Sequence, residues 1–330
     1  MLILAKAAMA IMLGFVTSVI FGYILLPFLK KHNIRQRVSL LVGERHLAKD
    51  GTPTMGGLIF IVPTLLVMII LYLRKSININ YNVLIVFFVF AAYALLGFID
   101  DILKVKFKNN KGVSIAGKLL IQTFIALVFF YIFMSNGGKP VVEISLFNLV
   151  IPMGWTFGLF ILIVLVGTTN AVNITDGLDG LAGGLSVIAF LAFGIVSWGT
   201  TWVPGFQDIA IFCFVLVGSL MGFLIFNSKP AKVFMGDIGS LSLGGALATV
   251  AIITRHEMLL LVVGGVFVIE ALSTIIQIIA IRKFKRKVLL MAPLHHHFEK
   301  LNWEESDIVK LFWSVGFILA MAAIAYGVWI

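Results

Sequence analysis

The chain has 330 residues, of which 61% are hydrophobic and only 12% charged, whereas an ordinary soluble domain is about 45–50% apolar and about 25% charged. With a mean hydropathy of +1.10, this balance excludes a water-soluble enzyme, a disordered chain and a disulfide-stapled secreted domain. The net charge of +10 acquires meaning only from where the charges lie.

A membrane-spanning helix needs about 20 apolar residues. Continuous apolar runs fall at 7–29, 55–73, 81–99, 119–135, 147–169, 181–199, 207–226, 240–254, 258–281 and 309–329. The runs are long and do not alternate, which argues for helices and against a barrel. The predicted fold is an all-α polytopic membrane protein of about ten transmembrane helices, forming a single domain over 1–330. The first run is not a cleaved leader, because its basic residues Lys30 and Lys31 follow the apolar stretch. The segment 136–146 reads as an external hairpin. Cys213, the single cysteine, lies within an apolar run and reads as a packing residue. No internal repeat is visible.

The 25 Lys and Arg are unevenly placed. Twenty lie in the connections after spans 1, 3, 5, 7 and 9, counting Lys310 at the start of the last span; the other five are Lys6, Arg74, Lys75, Lys139 and Arg255. Positive charge collects on the cytoplasmic side. Loops 30–54, 100–118, 170–180, 227–239 and 282–308 are therefore predicted to be cytoplasmic and both termini outside. The charge belongs to a membrane face that meets anionic lipid or substrate, and no nucleic acid is expected.

Along the chain, KDGTPTMGG (Lys49 to Gly57) enters span 2 with hydroxyls and a glycine pair suited to phosphate or sugar contacts. Asp100 and Asp101 close span 3. Adjacent carboxylates repel unless a cation or basic group offsets them, and Asp100 can also pair Lys104 one helical turn on. In TTNAVNITDGLDGLAGG, Asn170, Asn173, Asp176 and Asp179 recur every third residue, a series that drifts about 60° per step around a helix. The glycines Gly177, Gly180, Gly183 and Gly184 argue against a rigid helix there. Polar, glycine-broken backbone at membrane depth is tolerated where it lines a cavity. The segment has no Lys or Arg, so its carboxylates want a metal, a distant base or sugar hydroxyls. In NSKPAKVFMGDIGS (227–240), Asp237 stands just before a predicted helix start and Phe234 in a loop, where its ring suits stacking. In the last loop, His295, His296 and His297 cannot share one helix face; they read as loop contacts to substrate, not a closed zinc site. The run Arg282 to Lys287 reads as an anionic-lipid contact.

Eleven of the fifteen carboxylates fall on the predicted cytoplasmic side, and five of these lie in the three short motifs. Oxygen ligands without thiolates suit a hard cation, and Mg²⁺ takes few carboxylates together with substrate phosphates. Carboxylates, lysines and amides gathered on one face fit phosphoryl transfer.

The set Asp100-Asp101, NxxNxxDGLDGL (170–181), FMGDIGS (234–240) and MAPLHHHFE (291–299) resembles the polyprenyl-phosphate N-acetylhexosamine-1-phosphate transferase superfamily. With KDGTPTMGG, the histidine motif narrows the resemblance to the phospho-N-acetylmuramoyl-pentapeptide-transferase family, over essentially the whole chain. That resemblance implies a bacterial inner-membrane enzyme that transfers phospho-MurNAc-pentapeptide from UDP-MurNAc-pentapeptide to undecaprenyl phosphate, giving lipid I and UMP. It also implies ten spans, termini outside, Mg²⁺ and a homodimer. It makes Asp237 the Mg²⁺ ligand, with Asp100 and Asp101 beside it in the catalytic centre. Phe234 and Asp179 would hold the uracil, flanked by Lys49 and Asn227. Thr54, Asn173 and Asp176 would line the ribose and phosphate region, with Asn170 in the same motif and the three histidines on a loop near the nucleotide. Family lysines follow the aspartate pair, with Lys104, Lys108 and Lys118 as candidates. Two other readings stay open. A GlcNAc-1-phosphate transferase would use the same core but is disfavoured by the HHHFE loop. An anionic-nucleotide transporter would place its charges near the bilayer midplane, where only Glu270 is expected.

Overall fold

A computed structural model describes residues 2–35, 49, 51–107, 112–144, 149–199 and 206–329. In chain order these form α1 (Leu2–Lys31), α2 (Leu58–Leu73), α3 (Tyr81–Phe107), α4 (Ile115–Ser135), β1 (Val141–Ile144) and β2 (Leu149–Pro152). There follow α5 (Thr156–Thr175), α6 (Leu181–Gly199), α7 (Phe206–Asn227), α8 (Gly236–Ile253), α9 (Glu257–Val263), α10 (Gly265–Phe284), α11 (Leu294–Lys300) and α12 (Glu305–Trp329). Among the described residues, nine helices are long and apolar enough to cross a membrane. The sixteen-residue α2 is shorter, about 24 Å against a hydrocarbon core of about 30 Å. The chain is thus a predominantly helical polytopic membrane protein.

Two expected spans differ. The run 147–169 begins as a strand, and its helix starts only at Thr156. Leu149-Val150-Ile151 is as suited to a strand as to a span, and Val141–Ile144 pairs with it antiparallel, Glu143 opposite Val150. The external hairpin therefore extends to Pro152, and Arg255 from the α8–α9 connection pairs with Glu143 at 2.5 Å. The run 258–281 is not one helix either. It breaks at Gly264 into α9 and α10.

Helices α7 and α8 are the buried centre, with Phe212, Phe223 and Phe226 fully enclosed. Without water to drive association, helices in a membrane pack through small residues that let backbones approach. A Cβ at Gly14 of α1 would lie 2.2 Å from the Val215 carbonyl oxygen of α7, and one at Gly218 would lie 2.0 Å from that of Ile11. The same device sets α8 between α3 and α5. A Cβ at Gly97 of α3 would sit 2.2 Å from Asp237 O, and one at Gly244 of α8 would sit 2.5 Å from the Thr169 Cα of α5. These two approaches deliver the C-terminal ends of α3 and α5 to the N-terminus of α8.

Because Gly97 meets rigid backbone, Gly97→Ala is expected to push α3 off α8. A loss of activity of about 100-fold or more, with a lower thermal denaturation midpoint in detergent, should follow; wild-type turnover in this variant would show that the close approach is dispensable.

Candidate active site

The chain reverses at the α3 end, between α5 and α6, and ahead of α8 within one small region. The polar residues that the sequence sets apart meet there. Asp101, 1% exposed, accepts hydrogen bonds from the backbone N–H groups of Asp237 and Ile238, both at 3.1 Å. It thereby occupies the N-terminus of α8, whose first N–H groups have no partner within their own helix. Gly236, at φ +76°, is required here: a Cβ would lie 2.4 Å from Asp101 Oδ2 and 2.9 Å from Thr54 Oγ1. Helix α8 therefore begins earlier than expected, with Asp237 inside its first turn.

Asp100 and Asp237 share two lysines. Lys104 Nζ lies 2.6 Å from Asp100 Oδ2 and 3.2 Å from Asp237 Oδ2; Lys118 Nζ lies 3.1 Å and 2.6 Å from the same atoms. The expected pairing of Asp100 with Lys104 is present, as part of a larger constellation. Lys108 lies outside the described residues. The loop before α4 wraps Asp100, whose Oδ1 accepts from Val113 N–H at 2.7 Å. Asp237 Oδ1 accepts from Asn173 Nδ2 at 3.1 Å, and the same amide donates to Ser240 at 2.8 Å. Asn173 thus orients Asp237. Asn170, one turn back, donates instead to Gln122 on α4 at 2.9 Å and to Val166 O at 2.8 Å; the three-residue spacing turns it away from the cluster.

The helix of the NxxNxxDGLDGL motif runs on to Thr175 and breaks only at Asp176, so the expected irregularity is confined to 176–180. Enclosure first, then the negative charges of Asp237, Asp101 and Asp179, push the Asp176 carboxyl up to about 8. Asp179 finds a distant base: Lys49 Nζ at 2.7 Å, with Ala231 N–H donating to its other oxygen at 3.0 Å. Asn227 spends both ends of its amide on backbone, accepting from Gly180 N–H at 3.1 Å and donating to Val233 O at 3.0 Å. Loop 1 and the α7–α8 loop are joined by backbone hydrogen bonds from Phe234 N–H to Pro53 O and from Gly56 N–H to Phe234 O, each 2.8 Å. They carry Thr54, a buried hydroxyl without a hydrogen-bond partner, and Phe234, whose ring is half-buried.

The three histidines stand on the short helix α11, not in a loop, and have separate surroundings. His295 is fully buried; Glu270 Oε1 accepts from its backbone N–H at 3.1 Å and Oε2 lies 3.0 Å from Nδ1. Its Nε2 faces Gly177, where a Cβ would come within 2.2 Å. His296 pairs Glu299 at 2.6 Å, and His297 Nδ1 accepts from Leu290 N–H at 3.2 Å. Glu270, expected near the bilayer midplane, thus reaches the same end of the bundle as Gly177. With the break at Gly264 it lies early in α10, which runs about 21 Å further to Phe284 before Gln277 receives the N–H groups of Val288 and Leu289, each at 3.0 Å, as the chain doubles back. Glu270, Gln122 and Glu305 (which accepts from Lys49 Nζ at 2.5 Å) carry no sequence motif; only their scarcity as polar groups in or beside apolar runs marks them.

Asp100, Asp101 and Asp237 each offer an oxygen within 4.8 Å of the others. Three carboxylates against two ammonium groups leave a net negative, hard-oxygen donor set that a divalent cation fits. All three are already engaged, Asp101 by two N–H groups and Asp100 and Asp237 by the two lysines, so a cation there would share these carboxylates with their present partners.

A glycosyl transferase family 4 model matches residues 83–255, and the phospho-N-acetylmuramoyl-pentapeptide-transferase signature 1 matches 49–61. Three proteins named phospho-N-acetylmuramoyl-pentapeptide-transferase are similar along nearly their whole length. One from Geobacillus sp. (strain WCH70) is 44% identical over 98% of both chains, one from Oceanobacillus iheyensis 43% over 95%, and one from Bacillus subtilis 42% over 97%. The chain belongs to the phospho-N-acetylmuramoyl-pentapeptide-transferase family. The signature covers the Lys49 to Ile61 segment that carries Thr54 to the N-terminus of α8, and the longer match covers both halves of the carboxylate cluster.

Two substitutions test this construction. Asp101→Asn places an N–H group where an acceptor stood, leaving one α8 N–H without a partner at a cost of about 2 kcal/mol; activity and the denaturation midpoint should both fall, and an unchanged midpoint would refute the capping role. Gly177→Ala would drive into the enclosed His295 ring; the expected outcome is an activity loss of about tenfold or more, measured as UMP release, against none if the ring can swing away.

Proposed function

We propose that the protein transfers phospho-MurNAc-pentapeptide from UDP-MurNAc-pentapeptide to undecaprenyl phosphate, yielding lipid I and UMP. The observation that carries this reading is the interleaving of Asp100 and Asp237 with Lys104 and Lys118 at one end of a membrane bundle. In the proposed step, an oxygen of the lipid phosphate attacks the β-phosphorus, which bears the sugar. A P–O bond forms, the bond from that phosphorus to the bridging oxygen breaks, and UMP leaves with the electron pair. Each lysine ammonium has three N–H donors, so Lys104 and Lys118 retain donors for phosphate oxygens after pairing the carboxylates. Asp100 orients the lipid phosphate and takes its residual proton; a phosphate monoester has a second pKa near about 6, so little base strength is needed. Mg²⁺ bound by Asp237, with Asp100 beside it, would offset charge on the diphosphate. Asn173 and Asp101 keep Asp237 in place.

Direct displacement is favoured over a covalent aspartyl intermediate because both candidate nucleophiles are ion-paired to the same two lysines, which lowers their nucleophilicity. The site is assigned to the cytoplasmic side of the bacterial plasma membrane, where the positive loops point, and a homodimer follows from the family resemblance alone.

The deciding assay is UMP release from UDP-MurNAc-pentapeptide and undecaprenyl phosphate, with and without Mg²⁺. Release should depend on Mg²⁺ and fall at least about 100-fold in Asp237→Ala, and less in Asp100→Asn. Equal release from wild type and Asp237→Ala would sink the metal assignment. Exchange of labelled UMP into the UDP-precursor without lipid acceptor would count for the covalent route.

A further inference from the structure

Glu305 opens α12, 126 residues beyond the aspartate it serves. Its side chain is 9% exposed. Oε1 accepts from Lys49 Nζ at 2.5 Å and from the backbone N–H of Asp179 at 2.8 Å, and Oε2 lies 3.6 Å from Lys229 Nζ. Lys49 also reaches Asp179 Oδ1 at 2.7 Å. One carboxylate thus gathers loop 1, the α5–α6 turn and the α7–α8 loop onto the start of α12.

The arrangement has a chemical consequence. An ammonium group has three donors, and among the described residues two of Lys49's are taken, which leaves one. The carboxylate of Asp179, receiving one N–H on each oxygen, keeps unused lone pairs beside it. One donor next to one acceptor complements the imide edge of a uracil, a carbonyl oxygen beside an N–H. A lysine on a flexible four-carbon stem holds such an alignment poorly with a single partner, because fixing it costs rotamer freedom. Between two anions on different elements it has one position. Glu305 also fixes the backbone from which the Asp179 carboxylate is presented.

We infer that Glu305 is a positioning residue for the nucleobase end of the sugar-nucleotide site. It acts through Lys49 and Asp179, sets affinity for the uridine nucleotide, and takes no part in phosphoryl transfer. This rests on the nucleotide reading proposed above.

The test is steady-state UMP release by the full chain in detergent, with each substrate varied in turn. Glu305→Gln should raise KM for UDP-MurNAc-pentapeptide by about 10- to 100-fold and weaken competitive inhibition by UMP by the same factor. Its kcat and its KM for undecaprenyl phosphate should stay within about threefold of wild type. In a Lys49→Met background the same change should add less than about twofold, since its route of action is already gone. An unchanged KM, a loss confined to kcat, or full effects that multiply in the double variant would each overturn the inference and leave the transferase reading standing. No release from the wild type would overturn that reading, and the inference with it. Should Glu305→Gln not fold, as judged by gel filtration, Glu305→Asp keeps the charge on a shorter arm. An intermediate rise in KM supports the inference, and a wild-type KM overturns it.

Discussion

A carboxylate on one helix receiving the open end of another holds this site together. The first N–H groups of α8 must find acceptors, and burial of Gly236 and Ile238 keeps water from supplying them. Asp101 on α3 supplies both of its oxygens. A buried anion is costly without partners, yet here it meets two donors and the positive end of the helix dipole. That contact fixes where Asp237 stands, in the first turn of α8, and so fixes everything bonded to Asp237. The glycines at 97 and 236 serve the same contact, since a side chain at either would meet the backbone or polar atoms that form it, while Gly244 seats α5 against α8.

From this anchor outward, five of the carboxylates around the site are paired with lysine or histidine side chains. Asp100 and Asp237 divide two lysines, Asp179 and Glu305 divide Lys49, and Glu270 takes His295. Apart from Asp100–Lys104, which lies within α3, each pair joins different elements. A site of this kind is held by its own electrostatics, and the surrounding apolar helices only bring the chain ends near enough for the pairs to form. Phosphoryl transfer suits it, because that chemistry asks for fixed opposite charges around a phosphate more than for a reactive side chain.

The sequence made the membrane class plain because the apolar runs are long, and it marked Asp100, Asp101, Asp176, Asp179 and Asp237 because carboxylates are rare in so apolar a chain. It did not separate their duties. Asp101, Asn173 and Asn227 read as substrate or catalytic residues; in the structure their side chains also hydrogen-bond to other parts of the protein, and partners such as those 47 and 137 residues away leave no local trace. The break at Gly264 and the strand at 149–152 escaped for a related reason: an apolar run states that a segment is buried in lipid or protein and says little about its shape.

Glu270 shows how a side chain's partners alter a functional argument. Placed midway along an unbroken span, a lone carboxylate suggests an ion-coupled transporter. With α9 and α10 separated at Gly264, the same residue meets a histidine that packs on Gly177, between Asp176 and Asp179. Its charge is then spent on a histidine beside the candidate site. The described residues therefore gather their buried acidic side chains of the core motifs at one end of the bundle, the arrangement expected of an enzyme that works on a lipid headgroup at the membrane surface.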